Sequence, residues 1–131
     1  MADLKDKASV GGAFSNAKDI VRVVYDFAED AGAIGDLEAI QSSGDCVVML
    51  EYAIVKTACT SGGSMTLDLG KNGGAEFLSG VAVAALTLDS MHLPSAPAAV
   101  ELADGESVDM GIATAALTAG KIEFVFGIYR K

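Results

Sequence analysis

SMTLDLG, residues 64–70, alternates apolar and polar side chains more regularly than any other stretch of this sequence. Met65, Leu67 and Leu69 fall on one side of an extended chain, and the polar residues between them fall on the other. A period of two residues is typical of a β-strand that has one face in a core and one face in water. The stretch therefore predicts a β-sheet protein.

The same alternation, with many β-branched and aromatic residues, recurs on both sides of this stretch. Strands are predicted at residues 19–28, 34–40, 46–58, 64–70, 100–102, 107–113 and 121–131. AEFLSGVAVAALT, residues 75–87, fits neither the period of a helix nor that of a strand clearly. There we expect a short helix at 75–79 followed by a strand. About 7–9 short strands without regularly spaced helices predict an all-β fold, a β-sandwich or a jelly-roll-like barrel.

Residues 1–18 differ from the rest of the chain because they are polar and contain Gly and Ser. They predict an N-terminal arm, followed by a single β domain at residues 19–131, since 131 residues is the size of one domain. We expect the arm to become ordered on a neighbouring copy or on a shell beneath it, through Val10 and Phe14. The alternative is a tail with no role.

The charge distribution argues against two classes of partner. The net charge is −9, with eight acidic residues from Asp19 to Glu51 against Arg22 alone, and no Lys or Arg between Lys71 and Lys121. Nucleic acids and anionic membrane surfaces both require clustered basic residues. The chain also lacks an apolar run long enough to span a bilayer. The acidity predicts either simple solubility or a basic partner surface.

Residues with catalytic or ligand-binding chemistry are few and scattered, so we expect no enzyme activity and no cofactor. His92 is the single histidine, in a predicted loop before Pro94, and it has no evident metal-binding or catalytic partner. A strand from residue 46 to 57 would hold Cys46 and Cys59 roughly 40 Å apart, so both are expected to be free thiols.

The acidic stretch DFAEDAGAIGD, residues 26–36, is the one candidate metal site. It lacks the alternating ligands of an EF-hand loop, so it predicts a solvated acidic turn, with calcium binding as the alternative. The aromatic residues are expected to pack in the core or at an interface, because no basic groove accompanies them. Val10, Phe14, Phe77 and Tyr129 are the candidate interface residues.

Three stretches together resemble small structural proteins of tailed-phage heads, of the capsid decoration or cement type. Each combines a Gly- or Ala-containing turn or connection with a strand, and the three are VYDFAEDAGAIGD (residues 24–36), TACTSGGSMTLDLG (residues 57–70) and IATAALTAGKIEFVFGIYRK (residues 112–131). They run in order over about residues 20–131. The first departs from the family in having one glycine, Gly32, where a pair is typical.

The resemblance implies an all-β subunit without enzymatic activity that binds the outer shell and stabilises the junctions between capsomers. It implies a homo-oligomer, expected to be a trimer, with the major capsid protein as its partner. The protein would be made in the host cytoplasm and would reside on the capsid surface of the virion. Two alternatives remain: another virion subunit, from the tail tube or the head–tail joint, and a small ligand-binding β-barrel.

Overall fold

The longest strand of the described residues begins at Cys46 and is an inner strand of one of the two sheets of the fold. The computed structural model describes residues 18–94 and 99–130. Within these ranges the strands are β1 (Asp19–Asp26), β2 (Gly35–Gln41), β3 (Cys46–Ser61), β4 (Thr66–Lys71), β5 (Leu78–Ala82), β6 (Met91–His92), β7 (Val100–Leu102), β8 (Ser107–Ala113) and β9 (Leu117–Arg130). A short helix, α1 (Phe27–Asp30), follows β1, and a 3-10 turn (Val83–Ala85) follows β5.

The strands form two sheets with antiparallel pairing. Sheet A has the order β1-β9-β3-β6, and β7 also pairs with β3. Sheet B has the order β2-β8-β4-β5. Apolar side chains from both sheets form one buried cluster between them. The predicted all-β fold is confirmed, and it is a sandwich of two sheets instead of a closed barrel.

The core follows the alternation that the sequence shows. Met65, Leu67 and Leu69 are all at most 1% exposed, as the pattern of residues 64–70 predicts. From sheet A, Phe124 and Phe126 point into the same layer, with their ring centroids 6.3 Å apart. Burial of such side chains contributes about 1.5–3 kcal/mol each, so this layer is the main source of stability.

The last strand begins earlier than predicted. TAALTAG, residues 114–120, lies between the strands predicted at 107–113 and 121–131, but β9 already starts at Leu117, where its N–H donates to the carbonyl of Gly32 at 2.8 Å. The partner strand β3 also runs on to Ser61, which pairs with Leu117. Small Ala, Thr and Gly residues carry no alternation of size or polarity, so only the pairing with β3 shows that this segment is a strand.

Two further predictions about local structure were wrong. The strand predicted at 19–28 ends at Asp26, because Asp26 caps α1 by accepting a hydrogen bond from the N–H of Ala28 at 3.0 Å. The helix predicted at 75–79 is absent. Instead the N–H of Phe77 donates to the carbonyl of Leu69 at 2.9 Å, and this places β5 beside β4.

The two cysteines are free and buried near opposite ends of β3. Cys46 pairs with Arg130 at the end of β9, whereas Cys59 lies against Gly120. The prediction that His92 lies in a loop is wrong. His92 lies in β6, where it pairs with Ala53 of β3. Its ring nitrogen Nε2 lies 3.0 Å from the hydroxyl of Ser90.

The predicted arm falls almost entirely outside the described residues. Of residues 1–18 only Lys18 is described, so the expectations for Val10 and Phe14 also fall outside them. Residues 95–98, which follow Pro94, also lie outside the described residues. In the part of the chain that is described, no helix is long and apolar enough to cross a membrane.

Candidate interaction surface

The outward side of sheet A carries four of the seven large apolar side chains that are exposed among the described residues. Its register places Ile20, Arg22 and Val24 of β1 beside Gly127, Val125 and Glu123 of β9, on the side away from the core. On β3 the rows continue through Met49, Tyr52 and Ile54, and Ile54 pairs with Met91 of β6. We call this surface the sheet A face, defined by Ile20, Arg22, Val24, Met49, Tyr52, Ile54, Met91, Glu123, Val125, Gly127 and Tyr129.

Large apolar side chains are open to solvent on the sheet A face. Ile20 is 59% exposed, Val24 43% and Met91 58%. Single exposed apolar residues are ordinary, but here they share one sheet surface with half-buried Met49 and Ile54. Several exposed apolar side chains that share one surface of a small domain are typical of a protein–protein contact.

The charged residues on the sheet A face, and those beside Gly127, are paired with one another. Arg22 Nε lies 2.9 Å from Glu123 Oε1, and Lys18 Nζ forms an ion pair with Glu51. The hydrogen bond to Glu51 raises the pKa of Lys18. The aliphatic part of the Lys18 side chain lies over Gly127, so a Cβ at position 127 would overlap Lys18 Cδ. These pairs leave the surface nearly neutral, so its apolar side chains determine what it can bind.

The outward side of sheet B has the opposite chemistry. Asp36 and Asp68 flank Gly111 in the register, and Asp109 of β8 is opposite Glu38 of β2. The two outer surfaces of the sandwich therefore differ, with one apolar and the other acidic. This asymmetry gives the domain a side suited to contact and a side suited to water.

Protein groups already bind several of these carboxylates. Asp68 Oδ1 accepts from the N–H of Gly80 at 2.7 Å, and Asp109 Oδ1 accepts from the hydroxyl of Ser107 at 2.7 Å. In the acidic stretch 26–36, Asp30 Oδ2 accepts from the N–H of Asp26 at 3.0 Å. Among the described residues, no three His, Cys, Asp or Glu side chains come together in a way that could hold a metal ion.

The four candidate interface residues have different positions. Tyr129 lies on the sheet A face and is 38% exposed. Phe77 is fully buried, with its ring centroid 6.3 Å from that of Phe126, so in this fold it belongs to the core and not to an interface. Val10 and Phe14 lie outside the described residues.

Sequence reasoning missed most of the sheet A face. The available signal was in β1, where Ile20 and Val24 make the second side of the strand apolar as well. A single core can bury only one of the two sides of such a strand, so apolar residues on the other side stay exposed. Met91 offered no comparable signal, because a two-residue strand is too short to show a period.

Two clefts open at the side of the sandwich, one between β1 and β2 and the other beside the turn that joins β2 to β3. One of about 160 Å³ is lined by apolar Val23, Leu37, Ala39, Met110 and Phe124, together with Val24, Tyr25, Asp30 and Glu38. The other, of about 370 Å³, is lined by residues 40–46 with Ile128 and Arg130. Both are open to solvent, so neither resembles the enclosed pocket that a ligand-binding barrel would provide.

Comparison with known proteins gives one informative result. No protein-family model matches the chain, and no curated protein matches it significantly. A solved structure titled "Capsid of Ralstonia phage GP4" contains a chain of similar fold, with a TM-score of 0.55 and 19% sequence identity. The likeness covers 88% of this chain and 86% of that chain. At this level of identity the likeness concerns the fold.

Proposed function

We propose that the protein is a structural subunit of a phage virion, and that within the virion it is a decoration or cement subunit on the outside of the head. The observation that carries the proposal is the likeness of fold to a capsid chain over most of the length of both chains. The resemblance of residues 24–36, 57–70 and 112–131 to decoration proteins supports the finer assignment. This role requires no catalytic group and no cofactor.

The sheet A face supplies a physical basis for this role. Its exposed side chains, such as Ile20 and Met91, would be removed from water on the shell, at about 25 cal/mol per Å² of apolar surface. The acidic side of sheet B would then face the solvent and keep the coated particle soluble. The proposed partners are the major capsid protein and further copies of this chain, with a trimer as the expected arrangement.

Stabilisation of the shell would be additive. Each copy would contact two or more shell subunits at a junction between capsomers, so that separating those subunits would also require removing the copy. A modest contact energy per copy then becomes large over the whole shell.

Quantitative mass spectrometry of purified virions tests the proposal. We expect this chain in a copy number comparable to that of the major capsid protein, as many copies on one shell require. A copy number fitting a single ring would instead support a tail-tube or head–tail joining subunit. Absence of the chain from virions would overturn the proposal entirely.

A binding experiment tests the surface. Purified protein would be added to shells that lack it, and the bound fraction measured for Ile20→Asp and Met91→Asp. Each change places a charge on the sheet A face, and we expect at least tenfold weaker binding, about 1.4 kcal/mol. Ile34→Asp is the matched control, because Ile34 is 60% exposed but lies in the loop before β2. Equal binding of all three variants would show that this surface does not bind the shell.

A further inference from the structure

Strand β1 forms an edge of sheet A, and its backbone is regular along its whole length. It pairs with β9 over all eight residues from Asp19 to Asp26 without a break in register. Within the described residues no strand pairs with its other side. An edge strand of sheet B, β2, differs because its register is broken between Glu38 and Ile40. A bulge or a proline hinders the addition of another strand at an edge, and β1 contains neither.

The two cations at and just before β1 are held away from its free edge. Charged side chains, lysine above all, commonly protect an edge strand from pairing. Here Arg22 Nε lies 2.9 Å from Glu123 of β9, and Lys18 reaches Glu51 of β3. Both side chains therefore lie over their own sheet and leave the edge of β1 without this protection.

The backbone of β1 directs alternate residues to its free edge, and the register shows which ones. The N–H of Val55 on β3 donates to the carbonyl of Ser90 at 3.0 Å, on the side away from β9. Its partner Ile122 on β9 therefore faces β1 and exchanges hydrogen bonds with Tyr25. The N–H of Asp26, the next residue, accordingly donates to a carboxylate of α1 at 3.0 Å. The even-numbered residues before it thus direct their N–H and C=O groups to the free edge.

The outer side of β1 matches a second copy of the same strand in one register. When two copies run antiparallel with Arg22 opposite Arg22, Ile20 of each copy lies opposite Val24 of the other. These two side chains are 59% and 43% exposed, and the pairing covers both in part. The Arg22 side chains lean away from each other toward Glu123 of their own copies, which limits their repulsion. A shift of two residues in either direction places both apolar residues opposite charged ones.

The same register suits the inner side and the ends of the strand. Val21 and Val23 are only half-buried, and each lies opposite the other of the second copy. Lys18 lies opposite Asp26, so residues of opposite charge meet at both ends of the pairing. A parallel arrangement in register would instead place Asp26 against Asp26. Apolar matches on both sides and charge complementarity at the ends therefore favour an antiparallel second copy.

We propose that the protein pairs with a second copy of itself through β1, antiparallel and centred on Arg22, so that the two A sheets become one continuous sheet. The sheet A face then extends across a twofold axis, with Ile20 and Val24 of both copies at its centre. The pairing goes beyond the proposed function and does not depend on it. Because it joins two copies, it is separate from the contacts within the trimer expected on the shell, and it would join copies of neighbouring trimers.

Disulfide trapping of the full-length protein tests the pairing and its register. In Arg22→Cys the two new thiols lie opposite each other on the twofold axis, at a Cα separation of about 5.5 Å, within the reach of a disulfide. We expect a disulfide-linked dimer after mild oxidation, seen by gel electrophoresis without reductant. Ile20→Cys alone should give at least tenfold less dimer, because its two copies lie about 13 Å apart along the strands. Ile34→Cys, with 60% exposure at position 34 in the loop before β2, is the matched control for chance collisions.

A mixture of Ile20→Cys and Val24→Cys should cross-link again, because these positions are opposite each other in the pairing. The unmodified protein should form no linked dimer, since Cys46 and Cys59 are buried. Equal yields from Arg22→Cys and Ile20→Cys would contradict the register. No linked dimer from Arg22→Cys, which is the result expected if another segment covers this edge, would overturn the proposal.

Sedimentation of Arg22→Pro is a second test. Because the N–H of Arg22 points to the free edge, a proline there is compatible with the pairing to β9 but removes a donor from the pairing between copies. We expect a folded domain by circular dichroism and self-association at least tenfold weaker than that of the unmodified protein. Arg22→Ala is the matched control, since it removes the same side chain but keeps the N–H, and it should not weaken self-association.

Unchanged self-association of folded Arg22→Pro would also contradict the proposal. If Arg22→Pro does not fold, the disulfide yields decide between pairing and its absence. These measurements need no virions, so they stand or fall separately from the proposed function.

Discussion

Gly32 lies where the loop before β2 meets the start of β9, and there is no room for a side chain at this position. A Cβ on Gly32 would overlap the Leu117 carbonyl oxygen and lie 2.8 Å from Leu117 Cβ. We expect Gly32→Ala to lower the free energy of unfolding by about 1–3 kcal/mol, as overpacking does. Urea denaturation would measure this loss in the free energy of unfolding. Gly62→Ala is the control, because nothing lies within 4 Å of a Cβ there, and equal effects of the two changes would contradict this account.

Two buried side chains, Cys59 and Tyr25, make the free energy of unfolding depend on pH in the alkaline range. Burial raises the pKa of Cys59 from 9.0 to about 11. Burial, and then the nearby Cys59, Asp30 and Asp26, raise the pKa of Tyr25 from 10.0 to about 12. The folded protein therefore retains protons that the unfolded chain releases. This contribution to stability is complete below pH 9.0 and is lost as the pH rises through about 11 and then 12.

We therefore expect the free energy of unfolding, measured in urea at successive pH values, to decline above pH 9.0. Cys59→Ala removes one of the two groups and should make the decline shallower between pH 9.0 and about 11. Cys46→Ala is the matched control, since Cys46 is equally buried at the other end of β3. A decline of the same steepness in all three proteins would contradict the assignment to Cys59.

At the scale of elements, the acidic segment after β1 is explained by helix capping. Asp26 accepts from Ala28, and its own N–H donates to Asp30, so both carboxylates close the turn of α1. We expect Asp26→Ala to lower the free energy of unfolding by about 1 kcal/mol. Asp45→Ala, at an exposed carboxylate of the turn before β3, should have little effect. The melting temperatures of these variants provide the measurement.

The same explanation predicts how the segment responds to chelators. Because the carboxylates of Asp26 and Asp30 accept from backbone N–H groups, neither EDTA nor added calcium should shift the melting temperature of the protein. A large downward shift in EDTA that calcium reverses and that Asp30→Ala abolishes would revive the calcium alternative.

At the scale of the whole molecule, the sandwich and the N-terminal segment are expected to have separate roles. Deleting residues 2–16 should leave the circular dichroism and melting nearly unchanged, because side chains of β1 and later elements already form the buried cluster between the two sheets. The deletion should nevertheless weaken assembly, measured by sedimentation at micromolar concentration. A variant with the same residues replaced by Gly and Ser separates the effect of sequence from that of length. Unaltered assembly in both variants would show that the segment is only a tail.

Part of the candidate surface could be predicted from the sequence, and part could not. Tyr129 was expected at an interface and lies on the sheet A face, but Phe77 was also expected there and lies in the core. Both are aromatic residues within or beside predicted strands, and their local sequences do not distinguish them. The difference arises because Phe77 hydrogen-bonds through its backbone to Leu69 and is thereby drawn between the sheets.

The sequence by itself determined the fold class, the inward positions of residues 64–70 and the separation of the two cysteines, because alternation and chain length act locally. Only the tertiary structure decided that Ile20 and Val24 of β1 stay exposed on the sheet surface. Val21 and Val23 point to the core and Ile20 and Val24 to solvent because β9, on which β1 pairs, has its phenylalanines on one side. Arg22 between Ile20 and Val24 favours this side as the outer one, but the sequence of β1 contains no information about whether those two apolar residues stay exposed. Its neighbours in the sheet supply that information.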